Sequence, residues 1–215
     1  MVYLPHHDEA PSAADVAALI AAVPLATLVT SDGITLSANH IPLLLESGPD
    51  GDRLIGHVAR ANDVWREGNH VGESLAVFSG SDHYVSPTWY PSKQEHHRVV
   101  PTWNYLVAHV YGELAIHDDE RWTRGAVAKL TGTMERSRPD AWHMGQAPAD
   151  YLVGRLADIV GVELVVSRIV GKFKVSAARD TADRQGAAAG IAAESGPSAL
   201  VDAMRAVDGG RTATE

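Results

Sequence analysis

Leu25-Ala26-Thr27-Leu28-Val29-Thr30, followed by Ser31-Asp32-Gly33 and the run from Ile34 to Leu45, is the stretch on which the fold turns. The first six residues are strand-like, and Ser31-Asp32-Gly33 has the composition of a tight turn, so this stretch predicts a β-hairpin. Turn chemistry returns in Ser47-Gly48-Pro49-Asp50-Gly51-Asp52. Arg53-Leu54-Ile55-Gly56-His57-Val58-Ala59-Arg60 then reads as a third strand ending in a polar loop. Three strands joined by short turns make an antiparallel meander.

Upstream, Ser12 opens an N-cap-like start, and Val16, Leu19, Ile20 and Val23 recur at helical spacing up to Pro24. This apolar stripe packs either on the protein's own barrel or on a partner helix. Downstream, Asn62 caps a short helix through Trp65 and Arg66, and Ser74 to Gly80 resumes strand character. A loop rich in Pro and aromatics spans Val85 to Pro101, and Trp103 to Ile116 reads as one long strand. Helices are expected from about Asp118 to Glu135, with Arg136 and Arg138 before Pro139, and from about Pro148 to Ala157. Ile159 to Ser176 supplies one or two closing strands with Gly161 and Gly171 as bends. Beyond Asp183 the chain is Ala- and Gly-rich, with a helix near Ser198 to Val207 and an end expected to fray from Gly209 to Glu215.

Six or so strands with two or three peripheral helices, and no alternation of strand and helix, define an α+β protein on a small antiparallel barrel. No internal repeat is present, and no GxGxxG turn links a strand to a helix, so a Rossmann sheet is disfavoured. The chain has 215 residues, enough for one domain or one domain with a helical appendage. We divide it into a domain over 1–190 and a C-terminal helix and tail over 191–215.

Cysteine is absent, which excludes thiol nucleophiles, disulfides and thiolate metal sites. No signal-like N-terminus or apolar run of membrane-spanning length appears, so a cytoplasmic location is expected. A net charge of -9, from 18 basic and 27 acidic residues, opposes binding to a phosphate backbone, and direct DNA binding is not expected. The eleven histidines show neither HExxH nor a helical His pair with an acidic partner, so no zinc site is expected. There is likewise no GxSxG elbow, P-loop or convincing helix-turn-helix.

Three features point towards a ligand. Arg60, at a strand end beside Asn62, is placed either to hold a terminal phosphate or to pair with Glu67 or Asp63 on the surface. The segments Ser86-Pro87-Thr88-Trp89-Tyr90-Pro91-Ser92-Lys93 and Val99-Val100-Pro101-Thr102-Trp103-Asn104-Tyr105 offer flat aromatic surfaces, suited to a planar ring, to a subunit interface or to a plug for the barrel end. His40 and His57 sit inside apolar strands, where a buried imidazole needs a hydrogen-bond partner, a metal or a cofactor.

In their order and spacing, Pro24–Thr30, His40–Leu45, the GHVARAN-x-x-W stretch from Gly56, VSPTWYPSK from Val85 and VVPTWNY from Val99 closely resemble the PaiB family. His109, Gly112, Ile159–Glu163 and Gly171–Ser176 extend the match over most of residues 1 to 190. Members of that family are described as FMN-binding negative transcriptional regulators. The resemblance implies a six-stranded, Greek-key-like split barrel with FMN at a homodimer interface, possible turnover of a small-molecule substrate or NAD(P)H, and no membrane attachment. It implies that the end of the His57–Asn62 strand holds the phosphate and that Ser37–His40 pass along the isoalloxazine. The VVPTWNY loop and the Lys172 segment then lie near the interface. The cofactor-binding candidates are accordingly Asn39, His40, Arg60, Asn62, Trp103, Asn104 and Lys172, and no catalytic residue is assigned. Haem-dependent piperazate synthases are similar to PaiB proteins, so haem is the alternative cofactor, with His57 as its axial ligand and otherwise no metal site. Trp89, the Pro-Ser-Lys insertion and Asn104 follow the flavin-type pattern.

Overall fold

The structure, a computed structural model, describes residues 2–207. The expected fraying of residues 209–215 lies outside the described residues. Six strands, β1 (Leu25–Ser31), β2 (Leu36–Gly48), β3 (Gly51–Ala59), β4 (Glu73–Val85), β5 (Thr102–His117) and β6 (Ile159–Lys174), close into a barrel in the order β1-β2-β3-β6-β5-β4. The helices are α1 (Ala13–Ala22), α2 (Ser92–His96), α3 (Glu120–Glu135), α4 (Ala149–Ala157), α5 (Thr181–Ser195) and α6 (Ala199–Ala206). The predicted meander is present: β1 pairs antiparallel with β2, and β2 with β3. The chain then crosses so that β4 pairs with β1 while β3 pairs with β6, a Greek-key departure from a plain up-and-down ring.

Residues group into two compact units. The meander unit comprises Val23–Phe78 and His109–Ile169, and the terminal unit comprises the chain up to Ala22, Ser79–Ala108 and the residues from Val170. The sequence boundary at 190 falls inside α5.

In the meander unit, alternation along β1 buries Ala26, Leu28 and Thr30, and β3 buries Leu54, Gly56 and Val58. Gly112 is obligatory where β5 passes β6, because a Cβ there would lie 2.1 Å from the Val165 carbonyl oxygen. On the outer face Trp122 of α3 lies against Gly161 and stacks on His117, with ring centroids 3.9 Å apart. Asp119 caps α3 by accepting from the Trp122 N–H at 2.8 Å.

In the terminal unit, α1 buries Val16, Leu19 and Ile20, and Val16 fits over Gly171. The sequence reading missed α5, whose Gly186 and Gly190 interrupt any simple apolar stripe. These glycines make room for Trp89, since a Cβ on either would come within 2.2 Å of it. Buried Arg184 donates to the carbonyls of Met204 at 3.2 Å and Val207 at 2.9 Å, placing a cation at the C-terminal end of α6.

Candidate functional site

The β1–β2 register sets Thr30 opposite Ser37 and Leu28 opposite Asn39. Just beyond β3, the Asn62 Nδ2 donates to Asn39 Oδ1 at 2.8 Å, while the Asn62 Oδ1 accepts from the Val64 N–H at 3.0 Å and so caps the short turn Asp63–Trp65. Thr30, Ser37, Asn39, Asn62 and Val64 line a polar cavity of about 340 Å³ in the meander unit. Thr30 is buried there, and its hydroxyl has no partner among the described residues. The charged groups of the lining are carboxylates. Backbone N–H bonds from Thr35 and Ile34 hold Asp32 below the ordinary carboxylate range, and Asp63 pairs with Arg66 at 2.7 Å. Neutral amides and hydroxyls without a lining cation suit an uncharged heteroaromatic edge or a hydroxylated chain better than a phosphate.

Arg60 has a different role from either sequence reading. Its Nε donates to the Ala157 carbonyl at 2.7 Å, its Nη2 to the Ile159 carbonyl at 3.1 Å, and both Nη atoms grip Asp118 at 2.7 and 3.1 Å. Asp118, rather than Glu67 or Asp63, is therefore its ion-pair partner, and the guanidinium holds that carboxyl below its usual range. A phosphate at this fork would have to displace Asp118. The Arg60 carbonyl also accepts from Trp65 Nε1 at 3.0 Å, so Arg60 fixes the end of β3 from which Asn62 projects.

His40 corrects an expectation, because it is exposed rather than buried. β3 pairs with β2 only from Leu43 onward, which leaves the first half of β2 covered on one edge alone. His57 is half-buried opposite Gly161, on the face that Trp122 covers. Its Nδ1 has no partner among the described residues, and burial pushes its pKa down, as it does for His109.

The other predicted residues belong to the terminal unit. Trp103 is half exposed, donates to Asp82 at 3.0 Å and meets Tyr84 edge-on. Asn104 is fully buried. Its amide exchanges hydrogen bonds with Ser176 at 3.0 and 3.1 Å and also reaches Met204 Sδ. Lys172 is buried as well, with Nζ donating to the Tyr3 carbonyl at 2.8 Å and lying 3.7 Å from Asp8. The structure thus brings Asn39 and Asn62 together and adds Thr30, which the sequence reading did not single out. The available signal was a threonine continuing the inward alternation of an apolar strand.

A family model described as "Putative FMN-binding domain" matches residues 2–168. The chain belongs to that family. A Saccharomyces cerevisiae relative described as uncharacterized is 37% identical over 107 residues, covering 49% of this chain and 63% of that protein, so the chain spans less than two thirds of that relative's length. The Bacillus subtilis protease synthase and sporulation protein PAI 2 is 26% identical over 183 residues, 85% of each chain. Among solved structures, the flavocytochrome Anf3 of Azotobacter vinelandii is similar with a TM-score of 0.59 at 14% identity, covering 80% of this chain and 72% of that one. The FAD and heme binding protein of Mycobacterium smegmatis has a TM-score of 0.55 at 16% identity, covering 78% and 73%. At these identities the two structures establish the shared barrel fold.

Proposed function

We propose that this family member binds the flavin ring and ribityl chain in the meander-unit cleft and acts as a homodimeric, flavin-dependent oxidoreductase. The observation that supports this most is the buried Thr30 hydroxyl left without a partner beside the Asn39–Asn62 pair. An unmet buried polar group costs about 1–3 kcal/mol, which a ligand bonding there recovers. FMN supplies reversible redox chemistry when bound. The chain's own residues orient it: Thr30 and Asn39 offer hydrogen bonds, Asn62 holds the Asn39 amide in place, and Asp32 and Asp63 repel anionic groups. Fluorescence titration with riboflavin tests this reading. Wild type should bind and Thr30→Val should bind more weakly, whereas equal binding by Thr30→Val and Asn62→Ala would remove the cleft from the account.

Homodimer formation is supported by half-exposed Tyr84 and Trp103, an edge-on aromatic pair of the kind enriched at interfaces. Light scattering should give a dimer, and Trp103→Glu should shift it towards monomer. A regulatory role, where a cell shows one, acts indirectly through turnover of a small molecule, because the charge of -9 disfavours DNA. Purified protein should give no operator-specific shift, and NADH or NADPH should reduce the bound flavin in stopped flow. Among the described residues no helix is long and apolar enough to cross a membrane, which agrees with a cytoplasmic placement. The haem alternative rests on the partnerless His57 Nδ1. An intense Soret band lost in His57→Ala would replace the flavin reading.

A further inference from the structure

A second cavity, of about 230 Å³, lies wholly within the terminal unit, and its lining includes His7, Asp8, Thr102, Lys174, Ser176 and Arg179. Its chemistry is opposite in sign to that of the meander cleft. Among the described residues Lys174 has no carboxylate partner: its Nζ donates to Thr102 Oγ1 at 3.0 Å and stands 5.9 Å from the Tyr105 ring centroid. Arg179 has its Cζ 4.1 Å from the Tyr90 ring centroid and reaches Asp183 only at 3.8 Å, while Asp183 already accepts from the Ser92 N–H and hydroxyl. Lys172, two residues from Lys174 on the same strand face, is held near Asp8. With Lys172 near Asp8 and Arg179 near Asp183, Lys174 is the cation of this group that has no carboxylate of its own among the described residues, in a chain whose net charge is -9.

The backbone supports the same assignment. Ser176 has φ of 59°, one of two non-glycine residues in the left-handed region among those described, and such outliers persist where the surroundings fix them. The Asn104 amide supplies that fixing through its two bonds to Ser176. The N–H groups of Ala177 and Ala178, which follow Ser176 and line the cavity, have no hydrogen-bond partner among the described residues. Successive amides at a left-handed turn form a concavity that receives anions.

We propose that Lys174, Arg179, Thr102 and the Ala177–Ala178 turn form an anion subsite that takes a phosphate monoester. Lys174 and Arg179 supply charge, the Thr102 hydroxyl and the turn supply neutral donors, and Lys172 keeps Asp8 from neutralising them. The family match ends at residue 168, so these groups lie mostly beyond the segment that defines the family. Two sources of this chemistry fit, the 2′-phosphate of NADPH and free inorganic phosphate. The NADPH source rests on the oxidoreductase reading above, whereas the anion subsite does not.

The test compares wild type with Lys174→Gln, Arg179→Gln and Ala178→Glu, the last placing a carboxylate at an exposed position without altering the core, with Lys174→Arg as the charge-conserving control. Titration with inorganic phosphate, followed by 31P NMR, should show saturable binding in wild type and Lys174→Arg, weakened about ten- to a hundred-fold in the other three. NADPH against NADH then identifies the source. Loss of a preference for NADPH in the variants assigns the nicotinamide donor, and weakened phosphate binding in a protein that never prefers NADPH assigns free phosphate. Equal affinity of wild type and Ala178→Glu for phosphate and NADPH overturns the subsite. A protein that binds riboflavin but ignores these substitutions overturns only this inference, and one that binds phosphate but no riboflavin overturns only the flavin cleft.

Discussion

The meander-unit cleft and the terminal-unit pocket are both small, polar and built at strand ends, yet their charges are opposed. The cleft presents Thr30, Ser37, Asn39 and Asn62 with Asp32 and Asp63 and no lining cation, while the pocket presents Lys174 and Arg179 beside a left-handed turn. The contrast shows how one acidic chain can hold two polar sites of opposite character, each within its own unit. Hydrogen bonds from amides select shape and edge pattern, whereas a charge excess selects phosphate and responds to salt.

The largest effect expected on this contrast comes from Asn39→Ala combined with Asn62→Ala. Losing the paired amides should weaken riboflavin and FMN alike by about ten- to a hundred-fold. A loss confined to FMN in equilibrium dialysis would mean that the cleft reads phosphate after all. Next comes Arg60→Lys, which keeps a charge but not the fork that grips Asp118 and two carbonyls. It should lower the thermal midpoint and weaken both flavins by the same few-fold factor; a drop for FMN alone would restore Arg60 as a phosphate ligand.

The smallest effect is on pH dependence. Burial depresses His57 and His109 below 6.5, so near the depressed values the unfolded chain binds more protons than the folded one. The stability they contribute in neutral form is fully present above 6.5 and is lost as pH falls through their folded values. Thermal midpoints should therefore fall on acidification below 6.5, and His57→Asn should flatten the curve. Because both histidines belong to the meander unit, hydrogen exchange at low pH should show that unit opening first; first opening in the terminal unit would contradict this.

The meander was legible in the sequence because alternation, turn residues and short spacing are local properties. Asn62 was readable as a cap for the same reason. What could not be read was set by distant partners. Arg60 had only near neighbours, Glu67 and Asp63, to pair with until the fold brought up Asp118, 58 residues away, and Asn104 looked available until Ser176 and Met204, 72 and 100 residues away, buried it. Lys174 escaped notice because Lys172 beside it belonged to the same motif, and only the fold shows which of the two is held by a carboxylate. The α5 helix was hidden because its glycines serve a neighbour rather than the helix itself.

Those two glycines carry a consequence for how the protein is made. Trp89 fits against Gly186 and Gly190, which follow it much later in the sequence. A ribosome adding about 5–20 residues per second needs roughly 5–20 s to travel from one to the other. Throughout that interval the indole has been synthesised but its cover has not, so the nascent chain carries an open aromatic surface until α5 emerges. Adding a methyl at Gly190, ordinarily favourable in a helix by about 0.5–1 kcal/mol, would push α5 off that surface even in the finished protein.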